Sequence, residues 1–423
     1  MTARVLLLAV LLAAAPWAAH AENGAGGSPA ADELTGLVAT ARRMNPDVQV
    51  AVLEADAAAA KVQGADSLPD PKLQWQVLQW PTVNGGALPR SPFLGDSMVT
   101  LSQMFPLWGK RDLRRDIAVA GARQARLMRQ EVENEVVARV EIAYAQFHSA
   151  YLVVDLDRGL RGRMDTLAKL AVARYAQGLG KQEDATRAEV EKTRLEAEIA
   201  RTEAEREQAR LAINRLLARD LDTPLAERPK PRTIPSAGAL ELSALSARAQ
   251  AANPQILAEQ ASSEGADKEA SLAGKEWYPD VEVGLGPETM GGRWVGYNMM
   301  VSTTLPLQWG LHDSQVGEAK AKAAAARSKS EAVSRDVDKE LGDAWVGLNS
   351  SRQVEALLRD SQLPQAKIGF DSVANGYALG RTSFVDVLTA EQQLWQTDIE
   401  LIRVQFEQQE RLAEIEKLVG GKL

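Results

Sequence analysis

The stretch Tyr175-Ala-Gln-Gly178 returns, with one changed residue, as Tyr377-Ala-Leu-Gly380. Each copy separates two long stretches with helical periodicity, so each predicts a tight turn between helices. Three further pairs return in the same order: Asn45-Pro46 as Asn253-Pro254, Pro69-Asp70 as Pro279-Asp280, and Pro106-Leu107 as Pro306-Leu307. The offset of about 200 to 210 residues is far longer than the ~20–50-residue period of a solenoid, so the chain contains two copies of one large unit.

Each copy shows the same order of predicted elements: helix, strand, strand, very long helix, helix. In the first copy, apolar and polar residues alternate over 72–80 and 97–105, which indicates strands. Residues 110–174 contain no proline and place apolar residues three and four apart, which predicts a helix of roughly 97 Å. A return helix is predicted over about 181–218. The second copy predicts strands at 280–286 and 294–305 and its last helices at about 312–374 and 383–419.

The first 21 residues have the features of a signal peptide. Arg4 supplies a positive charge, residues 5–15 are apolar, and Ala19-His20-Ala21 forms a cleavage site. The apolar run of about 11 residues is too short to span a bilayer, and an uncleaved anchor is the alternative. We predict a signal peptide over 1–21, a first repeat over 22–220, a proline-rich linker over 221–240 and a second repeat over 241–423.

Composition argues against several classes of protein. The chain has no cysteine, so export brings no disulfide framework. Its net charge of −8 does not suggest nucleic acid binding. Its three histidines form no metal-binding motif, and neither a nucleophile elbow nor a phosphate-binding loop is present. We therefore expect no catalytic residues, no cofactor and no metal site.

Four strands with one apolar face each are too few to close a membrane barrel, because an open edge in lipid leaves backbone groups unpaired. The smallest bacterial barrels have about eight strands, so several chains must share one barrel. Three chains supply twelve strands. The predicted fold is mainly α, with a long α-helical barrel continuous with a 12-stranded β-barrel that three chains share, four strands per chain. Paired helices of roughly 90 Å would continue the barrel as a tunnel.

The tryptophans and the strand alternation predict how the sheet meets the membrane. Aromatic side chains near strand ends are typical of interfacial girdles, and the buried core of a soluble sheet is the alternative. The predicted girdle is Trp75, Trp80, Trp108, Trp277, Trp294 and Trp309. The alternation predicts that Val99, Leu101, Val281, Val283, Val295, Tyr297 and Val301 face lipid, and that Thr100, Ser102, Glu282, Asn298 and Ser302 face water.

This architecture, the paired Asn-Pro helix starts and the two turn motifs resemble the TolC family of outer-membrane efflux channels over nearly all of the mature chain. The segment from Ser102 to Lys110, Ser-Gln-Met-Phe-Pro-Leu-Trp-Gly-Lys, is similar to the heavy-metal branch of the CzcC and CusC type. The resemblance implies a homotrimeric exit duct in outer-membrane lipid, with its helical tunnel in the periplasm. It also implies a periplasmic adaptor and an inner-membrane pump of the RND type. Heavy-metal cations are the implied cargo, and multidrug efflux and type I secretion are the alternatives.

The resemblance further implies that the helix turns form the periplasmic gate. Asp184, Tyr377 and Asp386 match family gate positions, and Arg174 and Arg381 are the nearest cations by sequence. The alternative is structural. The helix dipole favours aspartates in a first helical turn, tyrosines pack against the turn, and glycines supply residues with left-handed backbone conformation. The candidate gate residues are Arg174, Tyr175, Gly178, Asp184, Tyr377, Gly380, Arg381 and Asp386.

A periplasmic adaptor is the main competing hypothesis from another class of protein, because adaptors also carry long helical hairpins. An adaptor combines a single hairpin with a compact domain of many strands. The sequence predicts two hairpins and four strands, which favours the channel.

Overall fold

The computed structural model describes residues 32–79, 96–236, 238, 240–290 and 293–423. The predicted signal peptide and Trp80 lie outside these residues. The helices are α1 (Asp32–Met44), α2 (Pro46–Gly64), α3 (Lys110–Ala176), α4 (Gln182–Leu216), α5 (Leu242–Ala252), α6 (Pro254–Lys275), α7 (Trp309–Leu357), α8 (Leu363–Ala378) and α9 (Phe384–Leu418), and the strands are β1 (Lys72–Gln79), β2 (Asp96–Phe105), β3 (Val281–Met290) and β4 (Arg293–Thr303). The prediction of a mainly α chain with four strands is confirmed. Within the described ranges, no helix is both long and apolar enough to cross a membrane.

Two asparagines join helices end to end. Asn45 accepts hydrogen bonds from the backbone N–H groups of Asp47 and Val48, and its amide donates to the Leu216 carbonyl at 2.8 Å. Asn253 repeats this arrangement with Ile256 N–H and the Leu418 carbonyl. Each asparagine therefore caps one helix and satisfies a free carbonyl at the end of another. As a result α2 continues the line of α4, and both pack on α3, whose 67 residues give a length of about 100 Å.

The long helix of the second repeat differs from its prediction. A helix was expected to run without interruption to about residue 374. A π-helical turn at Leu358–Gln362 instead separates α7 from α8. The N–H of Leu363 reaches back five residues to the Leu358 carbonyl, and Pro364, which has no N–H to donate, follows at the start of α8. The proline removes one regular helical hydrogen bond, and the wider turn accommodates that loss.

The four strands form one antiparallel sheet in the order β1-β2-β3-β4. One row of partners is Leu73, Leu101, Leu285 and Met299, all more than half exposed in the single chain. The opposite face is polar: Thr100 donates to Asn298 at 3.0 Å and Ser102 donates to Glu282 at 2.6 Å. Val295 has no partner, because the register shifts between Glu288 and Thr289. Apart from Val295, the register places the residues predicted to face lipid on one side of the sheet and those predicted to face water on the other.

A buried lysine connects the sheet to the helices. Lys110, the first residue of α3, is only 2% exposed. Its ammonium lies 3.0 Å from the Asp280 carboxylate and donates to the Tyr278 carbonyl at 2.9 Å. The indole of Trp108 donates to the Pro279 carbonyl at 3.0 Å. The start of the first long helix is therefore fixed to the start of β3 in the other repeat.

Candidate functional site

The two helix turns have the same backbone geometry. Gly178 and Gly380 both have φ of 72°, in the left-handed region where glycine is favoured. In the first turn, Leu179 N–H donates to the Arg174 carbonyl at 2.9 Å; in the second, Arg381 N–H donates to the Gly376 carbonyl at 2.8 Å. These bonds close each helix as a Schellman-type cap, in which the glycine supplies the left-handed residue.

Arg174 joins the two turns. Its guanidinium donates to the carbonyls of Tyr377 at 2.8 Å and Ala378 at 3.0 Å, in the turn of the second repeat. It also donates to the Leu179 carbonyl at 3.0 Å and lies 5.1 Å from the centre of the Tyr377 ring. One cation thus neutralises the carbonyl-rich ends of two helices and stacks on an aromatic face.

Tyr377 and Asp184 form the second link between the turns. The Tyr377 hydroxyl donates to Asp184 Oδ2 at 3.3 Å, and its ring packs edge-on against Phe384 at 5.3 Å. Burial, followed by the Asp184 carboxylate, raises the pKa of Tyr377 to about 12. The phenol therefore remains a hydrogen-bond donor at physiological pH. Tyr377 is 2% exposed, whereas Tyr175 is 49% exposed.

Asp386 caps its own helix. Its carboxylate accepts from the Ser383 N–H at 2.9 Å, while the Ser383 hydroxyl accepts from Asp386 N–H at 3.2 Å. This is a capping box, and the hydrogen bonds from Ser383 hold the pKa of Asp386 below its usual value. The Arg381 side chain is exposed and makes no hydrogen bond or ion pair with the described part of the chain.

The predicted gate residues therefore divide into two groups. Arg174, Asp184 and Tyr377 meet in one cluster between the turns, whereas Asp386, Arg381 and Tyr175 do not join it. Within the described chain, neither arginine forms an ion pair with either aspartate. Phe384 belongs to the cluster and was missed by sequence reasoning, although its place directly after the helix cap was a usable signal.

The tryptophans lie at two levels of the sheet. Trp108 stacks on Tyr278 at 5.3 Å and Trp277 on His312 at 5.2 Å, at the junction with the helices, where α7 also begins with Trp309. Trp294 lies at the opposite end, edge-on to Tyr297 at 5.7 Å. Trp75 is in β1 on the apolar face, and Trp80 is outside the described residues. Two aromatic levels are consistent with interfacial girdles, which remain a prediction.

Two buried carboxylates, which the sequence did not reveal, lie between the helices above the turns. Asp157 of α3 is fully buried and accepts from the Trp395 indole at 2.7 Å, and Glu391 of α9 is 2% exposed. Asp157 Oδ2 and Glu391 Oε1 have no hydrogen-bond partner in the described part of the chain. Burial, reinforced by the nearby Glu191, raises the pKa of Glu391 to about 7. The charged groups around Glu391 are Asp157 and Arg163 of α3 and Glu191 and Arg194 of α4.

Glu391→Gln is expected to remove a pH dependence of stability. Glu391 in the folded chain binds a proton between its usual pKa of 4.5 and about 7, where the unfolded chain releases it. The free energy of unfolding therefore falls as the pH rises through that window, by about 3 kcal/mol at most. The variant should unfold at a higher temperature than the wild type at pH 8 and at the same temperature at pH 5, measured by circular dichroism in detergent.

The exposed Glu205→Gln on α4 is the control, since its charge is already solvated. Equal unfolding temperatures for Glu391→Gln and the wild type at both pH values would show that ionisation of Glu391 does not lower the free energy of unfolding.

No cluster of three or more histidine, cysteine, aspartate or glutamate side chains that could hold a metal ion occurs among the described residues. The turns instead show a paired, internally bonded structure at the end of two helical hairpins. Residues 37–219 and 245–421 match the family model described as outer membrane efflux protein. The chain belongs to the outer membrane efflux protein family.

Solved structures of similar fold agree with this assignment. The outer-membrane channel OprN has a TM-score of 0.79 and 18% identity, covering 92% of this chain and 90% of its own. VceC of Vibrio cholerae has a TM-score of 0.77 and 18% identity, covering 92% and 97%. CusC has a TM-score of 0.78 and 16% identity, covering 92% of each chain. No curated protein sequence matches the chain.

Family membership confirms the channel hypothesis. The protein is an outer-membrane efflux channel, and it is not an enzyme. The adaptor hypothesis is therefore wrong. At these low identities, the similar structures show the fold and carry no information about cargo.

Proposed function

We propose that three copies of this chain form the exit duct of a tripartite efflux system. The observation that carries this proposal is the open sheet: β1 and β4 are both unpaired edges in the described chain. An edge in lipid leaves a row of backbone N–H and C=O groups unsatisfied, at several kcal/mol for each group. Three four-stranded sheets joined edge to edge give a closed barrel of twelve strands and leave no edge.

The duct receives its cargo from an inner-membrane pump of the RND type through a periplasmic adaptor. Heavy-metal cations are the proposed cargo, on the basis of the similarity of the Ser102–Lys110 segment to the heavy-metal branch. Lys110 in that segment is buried against Asp280, so this residue supports the barrel and does not face the cargo. We propose that selection among cargoes belongs to the pump and adaptor, and multidrug or protein export through the same duct is the second candidate.

The helix turns of the three copies are proposed to form the periplasmic gate. The support is the bonded cluster of Arg174, Tyr377 and Asp184, which holds the turns of one chain together. Asp386 and Arg381 lie on the same turns with their charges exposed to solvent. When three chains converge on one axis, these exposed groups would face one another, and we propose that they set the electrostatics of the mouth.

Two measurements test the function. Native mass spectrometry in mild detergent should give three times the mass of the mature chain, and a stable monomer would contradict the shared barrel. A host lacking its own efflux channels should then be supplied with this channel and with either a metal-type or a drug-type pump and adaptor. Restored tolerance to divalent metals with the first set alone is the expected result. Tolerance to drugs with the second set alone would assign the channel to multidrug efflux.

A further inference from the structure

The internal repeat shows which residues of β1 and β2 are equivalent to which residues of β3 and β4. Pro69-Asp70 before β1 corresponds to Pro279-Asp280 before β3, and Pro106-Leu107 after β2 corresponds to Pro306-Leu307 after β4. Adding 210 to residue numbers in β1 and 200 to those in β2 therefore gives the equivalent positions in β3 and β4.

The sheet itself verifies this relation. Leu73 pairs with Leu101, and the equivalent residues Val283 and Val301 also pair. Every consecutive pair from Lys72–Ser102 to Val77–Ser97 corresponds in this way to an observed pair, from Glu282–Ser302 to Pro287–Tyr297. The two hairpins thus share one register, although few of their residues are identical.

The pairing between the two hairpins, β2 with β3, has no equivalent strand pair inside one chain. In this pairing, Leu101 lies opposite Leu285 and Gln103 opposite Val283. The equivalent strands are β4 and β1, which are the two open edges of the sheet. They can pair only if β1 comes from a second copy of the chain.

The helices indicate the same arrangement, because α2 exposes apolar residues at positions that are buried in α6, its equivalent in the second repeat. On α6, Ala258 and Ala261 are 2% and 0% exposed, where that helix packs on both α3 and α7. Asn45 and Asn253 align α2 with α6, so the equivalent residues on α2 are Val50 and Leu53. These are 55% and 65% exposed. Apolar residues at positions that are buried in the equivalent helix indicate a surface that another copy covers.

We infer that β4 and α7 of one copy dock on β1 and α2 of the next copy, with Val301 opposite Trp75 and Thr303 opposite Leu73. This inference rests on the proposed trimer and adds its residue register. The pairing places Val301 and Trp75, both on the apolar face, side by side. A slip of one residue would put an apolar residue of β1 beside the polar Ser302, which one continuous lipid-facing surface does not allow.

The absence of cysteine makes disulfide crosslinking a clean test. The double variant Thr303→Cys/Leu73→Cys, oxidised in membranes with copper phenanthroline, should give covalent trimers on a denaturing gel, and reductant should dissolve them. Thr303→Cys/Trp75→Cys lies two residues out of register, where diagonal neighbours are about 7–8 Å apart, too far for a disulfide. It should remain monomeric on the gel.

Gln103→Cys/Val283→Cys is the matched positive control, because it is the equivalent pair within one chain. It should form an internal disulfide and no covalent oligomer. If the native mass is that of a trimer and this control oxidises, but Thr303→Cys/Leu73→Cys stays monomeric, the inferred register is wrong while the trimer stands. Crosslinking of Thr303→Cys/Trp75→Cys alone would likewise overturn the register. A native mass of one chain would instead refute the proposed function.

Discussion

Gly286→Ala is expected to prevent the chain from assembling its barrel, the largest effect of any single methyl group added to the sheet. A Cβ atom at position 286 would overlap the carbonyl oxygen of Val99 and lie 2.9 Å from the Cα atom of Thr100. Both contacts are with the backbone of β2, which cannot rotate away as a side chain can. Overpacking that forces side chains off their rotamers and shifts the backbone typically costs about 1–3 kcal/mol, and occasionally more.

The polar face explains why a glycine occupies this position. The Thr100 hydroxyl on β2 donates to Asn298 on β4, although β3 runs between them. That hydrogen bond passes over Gly286, where no side chain intervenes. An alanine would therefore separate β2 from β3 and also interrupt the link from β2 to β4.

A series of glycine variants tests this explanation. Gly284→Ala would meet the methyl group of Thr100 at 2.7 Å, a side-chain contact that a rotation can relieve, and Gly296→Ala would meet nothing within 4 Å. We expect the yield of the proposed trimer, detected in the outer membrane as a heat-modifiable species, to fall little for Gly296→Ala, moderately for Gly284→Ala and at least about tenfold for Gly286→Ala. Equal yields for the alanine variants at 286 and 296 would show that β2 and β3 lie farther apart than described.

Local signals in the sequence predicted most of the elements. The Asn-Pro pairs mark the starts of α2 and α6 because an asparagine cap and a first-turn proline act within a few residues. Period-two alternation gave the strand faces because side-chain direction in a strand depends only on position. The long helices followed from apolar spacing. The π-helical turn at Leu358–Gln362 was not predicted, although Pro364 indicates a nearby irregularity in the helix.

Long-range contacts explain what the sequence did not predict. Lys110 looks like an ordinary lysine in a first helical turn, and its burial depends on Asp280 in the other repeat. Glu391 looks like one of many helix glutamates, and its raised pKa comes from helices that pack around it. The turn motif identified Tyr377, but it did not show that Arg174 would reach across to the Tyr377 carbonyl. Such contacts arise only when the two repeats are folded against each other.

Arg174→Ala is expected to weaken the link between the turns more than any other substitution at the candidate gate. The substitution removes three hydrogen bonds to carbonyls and the stacking of the guanidinium on Tyr377. Because hydrogen bonds to charged groups contribute about 1.5–3 kcal/mol each and Arg174 is partly exposed, we expect a total loss on the order of 2–3 kcal/mol. If the link keeps the gate closed, the open population should rise by roughly 100-fold.

The matched variants are chosen so that each contribution of the arginine can be separated. Arg174→Lys keeps the positive charge but lacks the forked guanidinium, so it should retain one carbonyl contact and give an intermediate leak. Arg187→Ala removes an exposed ion pair with Glu183 on α4, close to the same turn, and should leave the leak unchanged. Arg381→Ala tests contacts between copies, because its side chain makes no bond within the described chain.

The measurements are single-channel conductance in planar bilayers and the sensitivity of cells to a bulky antibiotic that the closed channel excludes. The predicted order of leak is Arg174→Ala, then Arg174→Lys, then the wild type together with Arg187→Ala. If Arg381→Ala leaks as much as Arg174→Ala, the interaction that keeps the channel closed lies in the contacts between chains and not within one chain. A wild-type conductance in Arg174→Ala would show that the bonded cluster only packs the turns, and the closed state would then depend on the exposed charges of Asp386 and Arg381.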